Sequence, residues 1–136
     1  MEDASKYLKV GMRATATEEV SADNIATKFG SGNLEVYGTP AMVALMENAA
    51  VRAVDEALPE GWTTVGIAVD IRHLAPTPPG RRVRADAELE EVDGRRLVFS
   101  VTATDEQDKI GTGRHERYCV EMQPFLQRAN QKSVDV

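Results

Sequence analysis

The stretch Tyr37-Gly38-Thr39-Pro40-Ala41-Met42-Val43-Ala44-Leu45-Met46-Glu47 decides how the rest of the chain is read. Proline is tolerated in the first turn of a helix, where its missing N–H would be unpaired anyway. Pro40 therefore starts a helix, with Thr39 as its N-cap, and Pro59 and Gly61 close it after about Leu58. Val43, Ala50, Val51 and Val54 share a helical stripe with Glu47, while Asn48, Arg52, Asp55 and Glu56 form the polar side. Packing through that stripe carries Glu47 toward the core, where an ionised carboxylate is costly without partners. A Glu that interrupts an otherwise regular pattern marks a place to look for chemistry.

The flanking segments read as strands. Met12 to Val20 alternates, with Met12, Ala14, Ala16, Glu18 and Val20 on one side. Ser21 to Phe29 suggests a short helical turn capped by Ser21, and Gly30-Ser31-Gly32-Asn33 a loop leading to the helix. After the helix, Thr63 to Leu74 places Val65, Ile67, Val69, Ile71 and His73 on one face, until Pro76-Thr77-Pro78-Pro79-Gly80 denies the ladder its donors. Arg82 to Glu90 turns Val83, Ala85, Ala87 and Leu89 inward, and Asp93-Gly94 is a two-residue hairpin signal. Leu97, Phe99, Val101 and Ala103 follow on the next strand, and Lys109 to Glu121 is the last. From Gln123 onward a packed turn and a tail are expected. The order of strand, long helix and four strands predicts one α+β domain over residues 1–136, an antiparallel sheet packed on the helix. One helix cannot cover both faces of such a sheet or satisfy its edges, so association into at least a dimer is expected.

Composition narrows the functional classes. A formal charge of −6 argues against nucleic acid, which requires a basic field. Arg81, Arg82 and Arg84, with Arg95 and Arg96, are local groups able to serve one small polyphosphate. The single Cys119 excludes an internal disulfide, suits a reducing cytoplasm and reads as a half-buried filler rather than a nucleophile. The N-terminal residues are polar, and no segment approaches the roughly 20 apolar residues that span a bilayer.

His73 extends an apolar strand face, so its imidazole points toward the helix that carries Glu47. With Thr39 they supply a hydroxyl, a carboxylate and an imidazole, the parts of a hydrolytic or acyl-transfer site. His115 lies among Gly111, Gly113 and Arg117, where glycines suggest close approach by another backbone or a ligand. Two distant histidines and no Cys or acidic cluster at ligand spacing give no metal site.

The helix stretch, Gly66 to His73, Thr77-Pro78-Pro79-Gly80, Asp93-Gly94-Arg95-Arg96-Leu97 and Ile110-Gly111-Thr112-Gly113-Arg114-His115-Glu116-Arg117 together resemble the fluoroacetyl-CoA thioesterase family, in the same order from about Val36 onward. The resemblance implies the hot-dog fold, a central helix wrapped by a five-stranded antiparallel sheet, with two subunits paired edge to edge. It implies a catalytic set of Thr39, Glu47 and His73, with Gly66 and Arg117 near the acyl group. It implies no cofactor, coenzyme A being part of the substrate. One departure stands out: where the fluoroacetyl-specific member has aromatic residues closing the site, this chain has Gly30-Ser31-Gly32-Asn33-Leu34, with Phe29 the nearest aromatic. The expectation is a short-chain acyl-CoA thioesterase without strong fluoroacetyl selectivity; the alternative is a non-catalytic module that binds an acyl thioester or small acid.

Overall fold

The computed structural model describes residues 2–132. Strand β1 (Arg13–Glu19) precedes helix α1 (Thr39–Val54), followed by β2 (Trp62–His73), β3 (Arg82–Asp93), β4 (Arg96–Asp105), β5 (Lys109–Glu121) and a second helix, α2 (Met122–Asn130). The strands form one antiparallel sheet in the order β1-β3-β4-β5-β2. Thus β1 and β2 are its edges, and α1 lies on one face, mainly over β1 and β3.

The core follows from alternation on β3 and β4. Val83, Ala85, Ala87 and Leu89 face α1 beside Leu97, Phe99, Val101 and Ala103, and all are buried. Small residues on β3 let the helix approach closely, and Phe99 and Leu89 fill the remaining volume. From the helix come Ala41, Met42, Leu45, Met46, Ala49, Ala50 and Val54. The buried stripe is therefore rotated from the expected one: Val43, Glu47 and Val51 flank it and are only half-buried. Glu47 stands at the margin of the core, facing β5 and β2, with its side chain 39% exposed.

Both ends of α1 differ from expectation. Gly38, in extended backbone, is the N-cap, and Thr39 is the first helical residue. Gly38 fits because a Cβ there would lie 3.2 Å from the Ala26 nitrogen, and its N–H donates to the Asn24 carbonyl. At the far end the helix stops at Val54 and tightens into a 3-10 turn, Asp55–Ala57. Such tightening is common where a helix runs out, and the residue before Pro59 is biased away from helical backbone.

The inward face of β2 also departs from simple alternation. A β-bulge between Gly66 and Ala68 inserts one residue, Ile67, against β5. Thr64 and Gly66 look inward before it; Val69, Ile71 and His73 do so after it, opposite His115, Gly113 and Gly111. Val65 pairs with Tyr118 on the outer face, and Ile67 is 52% exposed, so these two leave the expected inner row. Gly113 fits the close backbone approach expected there, since a Cβ would lie 2.1 Å from the Asp70 carbonyl oxygen.

Three further corrections are local. The β3–β4 loop is Gly94-Arg95, closed by the pair Asp93 and Arg96, one residue later than the expected Asp93-Gly94. Gly94, at φ +64°, takes the first loop position, as a type II′ turn requires. Before α1, the helical turn is a 3-10 helix over Ala26–Phe29, capped at Ile25 rather than Ser21. The C-terminal turn expected from Gln123 is instead α2, because Pro124 sits in its first turn, where proline is tolerated. The expected tail beyond residue 132 lies outside the described residues.

Candidate active site

Thr39 and His73 form one cluster. The Thr39 hydroxyl lies 2.7 Å from His73 Nδ1, so the residue expected to cap the helix spends its side chain on the imidazole. Burial holds the His73 imidazole below its ordinary pKa, against a backbone hydrogen bond at Ala75, so the neutral ring is favoured. Its Nε2 is buried with no hydrogen-bond partner. The pair lines a cleft of about 410 Å³ whose other walls are Leu74 to Pro76, Tyr37 and the loop from Ser31 to Leu34. The cleft ends at the N-terminus of α1. Met42 makes the first bond into the helix, to the Gly38 carbonyl at 3.0 Å, so the N–H groups of Thr39 and Ala41 are not spent within it. Tyr37 buttresses this end, buried with its hydroxyl donating to Glu18 Oε2 at 2.6 Å.

Glu47 belongs to a second cluster. Arg117, buried on β5, donates through Nε to Thr64 Oγ1 at 2.8 Å and through Nη2 to the Thr64 carbonyl at 2.9 Å. Its Nη1 reaches Glu47 Oε2 at 3.3 Å. Gly66 completes the pocket by having no side chain: a Cβ there would lie 2.6 Å from Glu47 Oε2 and 3.3 Å from Arg117 Nη1. The position is chosen for space, since its backbone is not left-handed. His115, fully buried, packs against Phe99 and sits 3.7 Å from Glu47 Oε2.

The structure brings Thr39 to His73, and Glu47 to Gly66 and Arg117. Among the described residues, no hydrogen bond or ion pair joins the two clusters. Thr39 and Glu47 are eight residues apart on α1, roughly 12 Å of helix rise. Met42 and Met46 lie between them, beneath Gly111, where a Cβ would meet the Met42 sulfur at 2.5 Å.

The remaining sequence candidates resolve as follows. Cys119 is fully buried rather than half-buried, and burial pushes its thiol up to about 11, so it is not poised as a nucleophile. Arg84 is paired with Asp86, and Arg96 with Glu91 and Glu116. Arg95 lies over the Trp62 ring, 5.2 Å from its centroid. Among the described residues no three His, Cys, Asp or Glu side chains are grouped to hold a metal, and no helix is long and apolar enough to cross a membrane. His115 and Thr64 were not singled out as site residues from sequence. The inward parity that Arg117 shares with His115 on β5 was the available signal.

Comparison with known proteins identifies the family and the fold. Residues 20–123 match the family model described as fluoroacetyl-CoA-specific thioesterase. A fluoroacetyl-CoA thioesterase from Streptantibioticus cattleyicolor is 44% identical over 99 residues, 73% of this chain and 71% of that protein. A solved structure of a fluoroacetyl-CoA thioesterase superposes with a TM-score of 0.87 at 37% identity, covering 93% of this chain and 98% of the other. A hot-dog-like protein from Thermanaerovibrio acidaminovorans superposes at 0.86 with 30% identity, covering 95% and 96%. The fold is thus the hot-dog fold, and the chain belongs to the fluoroacetyl-CoA-specific thioesterase family.

Proposed function

We propose that this protein hydrolyses short acyl-CoA thioesters in a site completed by two copies of the chain. The observation that carries the reading is the division of the functional groups: a carboxylate held by Arg117 in one cluster, a Thr–His pair at a helix N-terminus in the other. Neither cluster alone suffices for hydrolysis of a thioester. One needs a proton donor for the leaving thiolate, and the other needs a base or nucleophile.

The edge strand β2 offers the way to join them. It has one free side, and Ile67, Val69 and Leu74 expose apolar surface along it. An antiparallel pairing of β2 with its copy about a two-fold axis at Asp70, with Ile67 bulged out of the ladder, sets Gly66 opposite His73 of the second copy. Glu47 of one subunit then faces Thr39 and His73 of the other, twice per dimer. In this site Glu47 acts on the thioester carbonyl, directly or through a water. The unspent N–H groups at the start of α1 stabilise the oxyanion. The neutral His73, oriented by Thr39, relays the proton to the departing sulfur, so thioester and water become carboxylic acid and free thiol. No cofactor enters, because coenzyme A arrives as part of the substrate. A cytoplasmic location fits that substrate.

A panel of acyl-CoA thioesters assayed for released thiol tests the reading. Turnover of short acyl groups is expected. Binding of acyl-CoA with no thiol released would make the protein a binding module instead.

A further inference from the structure

His115 is a buried titratable group that the reaction above does not use. Its surroundings fix its protonation. Nδ1 lies 2.9 Å from the Ala68 carbonyl, which only accepts, so Nδ1 carries a proton. Nε2 lies 3.1 Å from Arg117 Nη1, which only donates, so Nε2 is bare and accepts. The ring is therefore a neutral imidazole in a single tautomer, and its 3.7 Å approach to Glu47 is not an ion pair. The two hydrogens of Arg117 Nη1 are thereby divided: one goes to His115 and the other to Glu47. Nε and Nη2 are held by Thr64.

We propose that His115 is a positioning residue: by accepting one Nη1 hydrogen as a neutral imidazole, it aims the other at Glu47 and fixes the carboxylate's orientation. The proposal rests on the reading of Glu47 as the reacting carboxylate. Protonation would reverse the arrangement. An imidazolium would present an N–H to a guanidinium that cannot accept it, and would compete with Arg117 for Glu47. The groups facing the ring from each packed element are Glu47 on α1, Ala68 and Val69 on β2, Phe99 on β4, and Arg117 and Glu116 on β5. Burial lowers the imidazole pKa and the Arg117 charge works with it. The Ala68 carbonyl, Glu47 and Glu116 oppose, and burial prevails. A space-filling role would need none of this, since a phenylalanine could stack on Phe99 equally well.

The chain contains two histidines, so ring ¹⁵N spectra resolve both, with His73→Gln assigning the pair. His115 is expected to show a protonated Nδ1 and a bare Nε2 at neutral pH, and to stay neutral as pH falls below the ordinary His midpoint of 6.5. Arg117→Met is expected to shift the Nε2 resonance. In steady-state hydrolysis of a short acyl-CoA, His115→Phe is expected to lower kcat by roughly tenfold or more with KM little changed, and His115→Gln, which keeps an acceptor, to restore most of it. An Nε2–H tautomer, an imidazolium at neutral pH, an Nε2 resonance indifferent to Arg117→Met, or a folded Phe variant with wild-type kcat would each overturn the proposal. If the Phe variant fails to fold, the spectra and the Gln variant still decide. Absence of turnover in the wild-type protein would sink the thioesterase reading, while the tautomer measurement would still report on the ring.

Discussion

The two halves of the sheet obey different rules. On β3 and β4 the alternation holds from Val83 to Leu89 and from Leu97 to Ala103, with an irregularity only just after Leu89. The helix covers the inner row, and these eight inward positions are buried aliphatic or aromatic residues. On β2 a bulge shifts the parity, the inner row carries Thr64, Gly66 and His73, and apolar residues lie exposed on a free edge. The first half is a packing surface, where each side chain removes apolar area from water. The second gives up packing for polar groups held at set distances and ends in an edge strand. The difference teaches that stability and chemistry are separable here by strand, and each can be perturbed without the other.

The largest expected effect falls on the chemical half. If Glu47 is the reacting carboxylate, Glu47→Gln removes it but keeps its shape, so kcat should fall by roughly 10³-fold while the melting temperature stays near wild type. Near-normal turnover by the folded variant would remove Glu47 from the mechanism. Leu89→Ala on β3 should do the converse. It empties a fully buried site, and denaturant unfolding should show a loss of about 2–5 kcal/mol with kcat of the folded fraction unchanged. A large kcat loss without destabilisation would show that the halves are not separable.

The double variant Ile67→Lys/Val69→Lys tests the edge. Like charges brought together across a two-fold should weaken association by roughly 100-fold or more, read by light scattering, with activity falling in step as monomers form. Active monomers would contradict a shared site.

The smallest effect concerns the loop that walls the His73 cleft. Gly30, Ser31, Gly32 and Asn33 bring little apolar area, Leu34 is 72% exposed, and Gly30 and Gly32 have left-handed or otherwise positive φ. Ordering such a loop over a small acyl group is entropically costly. The kcat/KM ratio of fluoroacetyl- to acetyl-CoA should therefore correspond to no more than about 1–3 kcal/mol. A preference of roughly 10⁴ would place selectivity elsewhere, with Phe29, Leu34 and Tyr37 the first residues to vary.

Much of the regular half was legible in the sequence, because alternation survives wherever nothing interrupts it. Val83 to Leu89 and Leu97 to Ala103 fall as their spacing implies. The helix was legible from Pro40, but not its rotation: counting from Glu47 assumes that Glu47 lies mid-stripe, whereas Met42, Leu45, Met46 and Ala49 define the buried face. Alternation cannot reveal a bulge, so Val65 and Ile67 were assigned inward. Helix α2 was hidden because a proline in a first turn looks like a breaker. At the site, Thr39, Glu47 and His73 are expected as one set, with Gly66 and Arg117 near the acyl group; Thr39 and His73 are in contact, while Glu47 lies instead beside Gly66 and Arg117. The separation of Glu47 from His73 within one chain was not legible, since it depends on the angle at which α1 crosses the sheet. His115 stands out in the sequence only for its glycine neighbours and gains no role there, because that role needs the distances to Ala68 and Arg117, which span 47 and two residues of chain.

A mixed dimer tests the central claim most directly. Glu47→Gln and His73→Ala chains, carrying different tags and co-expressed, give a dimer purified through both tags. If Glu47 of one subunit works with His73 of the other, one site in the mixed dimer is wild type and the second doubly altered. The account predicts about half of wild-type activity per dimer from two chains that are each inactive as homodimers. A mixed dimer as inactive as its parents would contradict it, and would return the whole site to a single subunit.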